Sequence, residues 1–551
     1  MNRHSAILRE ALKEYRNEKW DNKIRSLNTQ NQSAWQMQKA LRREMLVIPP
    51  LHGQQGIAYE DQDKAEAFAD TLETEGRLNT HPDEDDQHEA EVMHTINDLD
   101  AQNPSNQTPM VITPRDTRTI VRRLKKRKAP GKDGITNKML KEMPRKGMVA
   151  LTNIINAIVR REYFPLCWKH AEVIMLNKPG KSLKFPQNYR PISLLPALSK
   201  VAERAIKMIL DQEMAELNLI PSEQFGFRSG HSTELQALRL VETITSGFNN
   251  REVTGAVFLD IERAFDRVWH EGLIRKMIDA GLSNKICKVI RSYLKDRSFC
   301  VKVKEHKSST RQINTGVPQG SVLGPHLYSI YVHDTPKVPG NTLALHADDT
   351  AIMAKHRRTE VICRRLQDHA DLLRDWCITW KLKCNAQKSQ AILFQKRRQI
   401  PPREIRIDDT AVPWVQSVKY LGFILDKRLT WREHTTALRN KTRQAMSRLY
   451  PLIGRRSVMT LTKLRLIQAV ARPQLTWGYA AKIHIKRLQA TENKLIRAAA
   501  NAPWFVRNAH LQQDLQWEPF KDNIRRRAEG TFRRAGNHPN EELRNLVAYD
   551  P

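Results

Sequence analysis

Two aspartates set side by side between apolar runs constrain this chain more than any other feature. In Leu343-Ala344-Leu345-His346-Ala347-Asp348-Asp349-Thr350-Ala351-Ile352-Met353 the flanks read as two strands and the Ala-Asp-Asp centre as the turn of a hairpin. Adjacent carboxylates repel, so keeping both ionised calls for a cation or strong hydrogen bonds close by. A hard divalent ion with oxygen ligands, usually Mg²⁺, is the common remedy. Asp-Asp pairs are also ordinary in solvated turns, where Asp hydrogen-bonds its own backbone. Companions elsewhere in the chain decide between the two.

The first companion is Gly255-Ala256-Val257-Phe258-Leu259-Asp260-Ile261-Glu262-Arg263-Ala264-Phe265-Asp266, a strand-like apolar run that stops at Asp260. A carboxylate at the end of a buried strand is well placed for a metal, and 262–278 then has helical spacing, with Glu262 and Asp266 read as salt-bridge partners on a helix face. The second is Thr315-Gly316-Val317-Pro318-Gln319-Gly320-Ser321-Val322-Leu323-Gly324-Pro325, whose glycines let backbone approach a ligand and whose Gln319 offers a donor and an acceptor. The third is the polar step 385–388, just before a strand at 391–394.

Charge narrows the partners. Lys and Arg number 92 against 60 Asp and Glu, a formal net charge of +32, which points to a polyanion, nucleic acid before a membrane surface. No unbroken apolar run approaches the roughly 20 residues of a spanning helix. The first 21 residues are charged throughout, without the apolar centre of a signal peptide. The six cysteines (167, 287, 300, 363, 377 and 384) form no C-x-x-C pair, so free thiols are expected rather than structural zinc or a disulfide framework.

In this order, Phe258-Leu259-Asp260, Val317-Pro318-Gln319-Gly320, Ala347-Asp348-Asp349, then Asn385 and Lys388, the motifs resemble the palm of reverse transcriptases from non-LTR (LINE-type) retrotransposons. Ala129-Pro130-Gly131-Lys132-Asp133-Gly134-Ile135, Asn188-Tyr189-Arg190-Pro191-Ile192-Ser193-Leu194-Leu195 and Gln224-Phe225-Gly226-Phe227-Arg228 are similar to other motifs of that family. Val418-Lys419-Tyr420-Leu421-Gly422-Phe423 is similar to its primer-grip hairpin, and Ala502-Pro503-Trp504-Phe505-Val506-Arg507-Asn508 resembles the jockey-type insect elements.

The resemblance implies an α+β right-hand polymerase of fingers, palm and helical thumb, with a helical N-terminal extension and a helical, basic C-terminal region. It implies two Mg²⁺ ions (or Mn²⁺) about 4 Å apart, held by catalytic Asp260, Asp348 and Asp349 with the backbone carbonyl of Ile261. Lys178, Arg190, Gln319, Gly320 and Lys388 would meet the incoming nucleotide, and Phe265 would exclude a 2′-hydroxyl. His346, Tyr420, Leu421 and Gly422 would meet primer and template, His346 standing where the family carries Tyr or Phe. Protonation of His346 near neutral pH is then expected to weaken the site on acidification. The implied partners are an RNA template, a DNA primer, deoxynucleoside triphosphates and the element's own RNA in a ribonucleoprotein. Nucleus and cytoplasm are the implied compartments, and the chain is not expected to be secreted.

Four segments are expected. Residues 1–48 have helical spacing, with Ser33-Ala34-Trp35-Gln36 as a capping box opening a second helix. Residues 49–114 form an acidic spacer and linker, densest at Asp83-Glu84-Asp85-Asp86, read as solvated, with a nucleic-acid mimic as the alternative. Residues 115–430 hold the reverse transcriptase domain (core about 157–428), its entry marked by the basic run 122–128, and 431–551 the helical thumb and basic C-terminal region. No endonuclease motif is recognised before residue 115, so a fragment or an endonuclease-less copy is expected. An inactive relic that only binds RNA is the competing reading, and an RNA-directed RNA polymerase a third. The intact Asp260, Asp348 and Asp349 favour the DNA polymerase.

Overall fold

The apolar run that ends at Asp260 is an inner strand of a sheet. In the computed structural model, which describes residues 2–26, 48–54, 56–102, 111–396, 401–454, 459–472 and 482–548, the chain gathers into two units. One comprises 47–393 with 399–415, the other 1–46, 394–398 and 416–551.

The first unit opens with the hairpin β1 (Leu51–Gly53) and β2 (Gly56–Ala58). It continues with β3 (His170–Asn177), β4 (Tyr189–Leu194), β5 (Val253–Asp260), β6 (Arg297–Val303), β7 (His306–Lys307) and β8 (Arg311–Ile313). After these come β9 (Asn341–His346), β10 (Asp349–His356), β11 (Gln390–Phe394), β12 (Ile405–Ile407) and β13 (Thr410–Val412). One sheet runs β11-β5-β10-β9; another runs β4-β3-β6-β7, with β8 also on β6.

In the first sheet β5 and β10 are inner strands, and their sequences are continuous apolar runs rather than alternations, as burial on both faces demands. The helix Thr359–Thr379 packs so closely on β5 that a Cβ at Gly255 would lie 2.3 Å from Ile362 Cγ2. Val257, Leu259, Leu343, Leu345, Ile352, Ile362 and Leu366 share one core there. Arg239, fully buried on the helix Thr233–Asn249, donates to the Leu343 carbonyl at 2.8 Å from the β9 side.

The acidic segment is folded rather than solvated. Its helix Asp61–Glu75 lays Phe68 edge-to-face on Tyr189 (4.9 Å, 72°) within the core of the β3-β6 sheet. Fully burying a side chain of that size stabilises by about 1.5–3 kcal/mol. Its carboxylates meet basic partners: Asp70 and Glu66 take Arg311 (2.7 and 3.5 Å), Glu89 takes Lys381 (2.6 Å), and Asp83 takes Arg374 (2.7 Å). Glu75 pairs with Arg263. Composition averaged over 49–114 hid this, because the apolar residues that fold it (Leu51, Phe68, Val92, Ile96, Leu99) are few but well spaced.

The helix expected over 262–278 begins only at His270. Residues 261–267 turn irregularly, with Arg263 at φ 50°, because their carbonyls serve the 315–317 loop instead of a helix. Val317 N–H donates to the Phe265 carbonyl and Gly316 N–H to that of Val268, both at 2.8 Å. Gly316 sits at φ 76° with its added Cβ 2.4 Å from the Asp266 oxygen, so only glycine fits.

The second unit holds the helix Asn2–Arg25, the hairpin β14 (Ser417–Tyr420) and β15 (Phe423–Asp426), and the helices Arg432–Ile453, Thr460–Leu466, Lys482–Ala500, Asn508–Asp514, Phe520–Gly536 and Glu541–Val547. The hairpin expected to close the 115–430 domain therefore groups with the helices that follow it. Met446, Leu449, Ile467, Ile496 and Trp517 form this unit's core. A buried Arg472–Glu492 pair at 3.1 Å lies within it. The capping box at 33–36 lies outside the described residues. All six cysteines are free, five of them buried. Among the described residues no helix is long and apolar enough to cross a membrane.

Candidate active site

Strand register brings the separated carboxylates together. β10 runs antiparallel to β5 with Asp349 opposite Asp260, and antiparallel to β9 with Asp349 opposite His346. Ala347 and Asp348 make the turn of the β9–β10 hairpin, Ala347 in the left-handed region at φ 60°. Removal from water, then the Asp348 and Asp260 charges, push the Asp349 carboxyl up to about 6. Asp348 is also raised, by burial and then by Asp260, against the lowering pull of its own backbone hydrogen bond.

The backbone of Asp260 is closed on both sides by the 385–389 turn. Asn385 N–H donates to the Asp260 carbonyl (2.7 Å), while the buried Ser389 hydroxyl accepts from Asp260 N–H (3.2 Å) and donates to the Asn385 carbonyl (2.8 Å). Lys388 on that turn puts Nζ 3.7 Å from Asp260 Oδ2. Lys178, on the loop after β3, donates to the Gln187 carbonyl at 2.8 Å. Its ammonium is held below the usual range by burial first, then by Arg190 and Lys388. Those three cations are thus gathered on the side where Lys388 meets Asp260.

Gln319 and Gly320 are stitched to β4, where Ser193 N–H donates to the Gln319 carbonyl at 3.0 Å. Gly320 has φ 105°, and an added Cβ would sit 3.1 Å from Ser193 O. The Gln319 amide donor, expected to face a nucleotide, is engaged by Asp266 Oδ1 at 2.7 Å. Asp266 is therefore no helix-face partner: burial pushes its carboxyl up, and the Gln319 amide and Arg263 pull it down. Glu262 keeps its ion pair, 3.7 Å from Arg267, although no helix carries it. Phe265 is half-buried between Tyr328 (ring centroids 4.4 Å, 31°) and Phe227 (5.9 Å, 88°), so its ring is fixed.

Gln224 is the residue that sequence reasoning missed. Residues 223–225 add a parallel edge to β9: Phe225 N–H donates to the Leu345 carbonyl (2.8 Å) and Leu345 N–H to that of Glu223 (3.0 Å). The buried Gln224 Oε1 then accepts from Gly226 N–H (2.8 Å) and from Ala347 N–H (3.0 Å), fixing the turn that carries Asp348. A Cβ on Gly226 would lie 2.2 Å from Ala347 N, which leaves the position to glycine. Ordered next to Phe225 in the sequence, Gln224 gave only a motif match; its bond spans 123 residues.

His346 is half-buried, and burial lowers its pKa against the raising pull of its own backbone hydrogen bond and of Asp348, so imidazolium forms at a lower pH than on an exposed ring. The proton that matters on acidification is that of Asp349. With its carboxyl raised to about 6, Asp349 is mostly protonated below that pH and carries above it a charge that burial and its neighbours penalise and a bound divalent cation relieves. Below that pH, protons compete with the cation. We expect the Mg²⁺ concentration for half-maximal activity to rise by about tenfold per pH unit below about 6. His346→Tyr should leave that acidic limb in place; a limb that moves with the Tyr variant would return the effect to histidine. Tyr420, Leu421 and Gly422 belong to the second unit, where Leu421 (φ 48°) and Gly422 (φ 87°) form the two-residue turn of β14–β15.

Among the described residues no group of three or more acidic, His or Cys side chains is placed to hold a metal ion by itself. Mg²⁺ commonly takes only one or two carboxylates, with phosphate and water completing its shell.

Residues 176–425 match the family described as reverse transcriptase (RNA-dependent DNA polymerase). The "Probable RNA-directed DNA polymerase from transposon X-element" of Drosophila melanogaster is 38% identical over 80% of this chain and 50% of its own length. The "Probable RNA-directed DNA polymerase from transposon BS" of the same species is 35% identical over 100% of this chain and 62% of its own. The "RNA-directed DNA polymerase from mobile element jockey" of Drosophila funebris is 34% identical over 79% and 49%. The chain thus spans about half to three-fifths of the length of these curated relatives.

Proposed function

We propose, from the family match over residues 176–425 and the similarity to RNA-directed DNA polymerases of the X-element, BS and jockey elements, that this chain is a reverse transcriptase of the jockey-like non-LTR type and extends a DNA primer on an RNA template. The observation that carries this reading is the Asp260–Asp349 register across β5 and β10, with Asp348 on the adjoining turn. In it the β4-β3-β6 sheet serves as fingers, the β5–β10 sheet as palm, and the helices after Trp431 as thumb.

The three carboxylates fit a divalent ion because burial first, and the charges of the neighbouring aspartates after it, raise Asp348 and Asp349, and such an ion offsets both penalties. Bound there with the Ile261 carbonyl, Mg²⁺ or Mn²⁺ would supply the charge that favours attack by a primer 3′-hydroxyl on a triphosphate. The chain's own side chains position the reactants. Arg190 suits bidentate phosphate contact, and Lys178 and Lys388 add point charges. Lys388, with Nζ 3.7 Å from Asp260 Oδ2, would protonate the leaving pyrophosphate or neutralise its charge. The Asp266 carboxylate fixes the Gln319 amide, so that the 317–320 backbone, rather than that amide, faces the nucleotide. His346 and the Tyr420-Leu421-Gly422 turn would contact primer and template. The element's RNA, bound as a ribonucleoprotein in nucleus and cytoplasm, is the natural template, and the reading needs no structural zinc.

Phe265 supplies sugar selection. Pockets that differ by a few atoms discriminate by about 10–200-fold. Phe265→Val should therefore lower the preference for dTTP over UTP by that order, measured as a ratio of kcat/KM, with dTTP use nearly unchanged. An unaltered ratio would make Phe265 simple core. The test of the whole reading is incorporation of dTTP on poly(rA)/oligo(dT) with Mg²⁺. No incorporation above an Asp260→Asn control, with RNA still bound, would leave the RNA-binding relic instead.

A further inference from the structure

Among the described residues Trp504 and Phe505 are the most exposed large apolar side chains, at 89% and 69%, yet the loop that carries them is tightly built. Arg497, in the last turn of the helix Lys482–Ala500, reaches under residues 501–508. Its guanidinium donates to the carbonyls of Pro503 (2.7 Å), Trp504 (2.7 Å) and Val506 (2.6 Å) and to Asn508 Oδ1 (3.0 Å). Ala502 N–H returns to the Arg497 carbonyl at 3.0 Å, and Val506 N–H to that of Pro503 at 3.2 Å. Asn501 leaves the helix at φ 51°, and Ala502 and Val506 pack on the unit's core. The two residues between those anchors are turned outward. Their rings meet edge to face (6.1 Å, 82°), and both stay open to solvent.

Exposing two large rings on a fixed frame forgoes burial that a protein otherwise takes. The surroundings say what could cover them. Between 482 and 513 stand Lys482, Lys486, Arg487, Lys494, Arg497 and Arg507. The one acidic residue there, Glu492, is fully buried against Arg472. Lys494 and Arg507 are exposed beside the loop. An aromatic pair flanked by unopposed cations is the chemistry that takes unpaired bases by their faces and phosphates by charge.

We propose that the Trp504–Phe505 loop is a stacking platform for single-stranded nucleic acid, separate from the carboxylate site and requiring no duplex. It holds an unpaired stretch of RNA by its bases while Arg507 and Lys494 meet the backbone. Its recognition is sequence-tolerant, since every base has a face to stack.

The full chain carrying Trp504→Ala with Phe505→Ala tests this. Binding of a labelled, unstructured single-stranded RNA is compared with that of an RNA–DNA duplex of equal length, by anisotropy. The variant should lose about tenfold or more in affinity for the single strand. Its duplex affinity and its extension of oligo(dT) on short poly(rA) should stay unchanged. Arg507→Ala should lower the slope of log affinity against log salt by about one, which the aromatic variant should not. Unchanged single-strand affinity in the double variant would overturn the proposal. So would a shift in sedimentation with single-strand binding intact, which would make the loop a contact between copies of the chain. Absence of primer extension in the parent chain would sink the polymerase reading alone, because single-strand binding is read without it.

Discussion

Asp260→Asn and Asp348→Asn are each expected to reduce primer extension on poly(rA)/oligo(dT) by about 10²–10⁴-fold, the cost of several kcal/mol of lost charge stabilisation. Each change removes one negative oxygen pair from the place where β5 meets β10, while the strand pairing that sets the geometry is made by backbone and persists. Asparagine is nearly isosteric, so a fold defect is not the expected cause. Loss of one charge barely alters a net +32, and RNA affinity at fixed salt should stay within about twofold. Stability supplies an independent sign. Asp349 is raised by burial first and then by the Asp348 and Asp260 charges, so without a divalent ion its ionisation costs stability as pH rises from the ordinary carboxylate range through about 6. Asp348→Asn should therefore raise the melting temperature in EDTA at pH 7.5 and shrink the upward shift that added Mg²⁺ gives the parent. If both asparagine variants kept near-parental turnover, the carboxylates would not be the metal site.

Gln224→Ala carries the second large effect. It removes the acceptor shared by Gly226 N–H and Ala347 N–H and leaves both donors buried without that partner. Ala347 is held at φ 60°, a conformation disfavoured for residues with a Cβ, and Gln224 Oε1 is the bond that supports it. A relaxed turn displaces Asp348, and a displacement near 1 Å from the reacting geometry costs about 10²-fold. Gln224→Glu keeps an acceptor in place and should recover much of the loss, although it adds a charge near three others. Gln224 acts through the turn, so kcat should fall while KM for dTTP and RNA affinity hold. A change in KM alone would place Gln224 in the nucleotide pocket instead.

What the sequence disclosed followed from short range. The apolar runs around Asp348 and Asp349 foretold β9 and β10, and the run before Asp260 foretold β5. The polar step at 385–388 foretold a break just before β11, because each of these signals lies within a few residues of its consequence. Gln224, Ser389 and Asp266 were opaque for the opposite reason. Their roles rest on single hydrogen bonds to residues 123, 129 and 53 positions away, and no periodicity marks such a bond. The helical spacing over 262–278 misled, since the backbone of 265–268 pairs with the 315–317 loop. The acidic stretch misled because charge density was read as solvation, whereas Arg311, Arg374 and Lys381 wait across the fold to neutralise it.

That acidic stretch also changes where the gene for such a chain could be cut. The family match begins at 176, but the folded unit begins at 47, and Glu75, Asp70, Asp83 and Glu89 from the earlier stretch are countercharges to Arg263, Arg311, Arg374 and Lys381. A shortened copy that kept every catalytic codon yet began past residue 90 would lose all four, exposing four cations and the apolar face that Phe68 covers. The stretch of coding sequence that must be inherited together is therefore longer than the stretch that carries the chemistry.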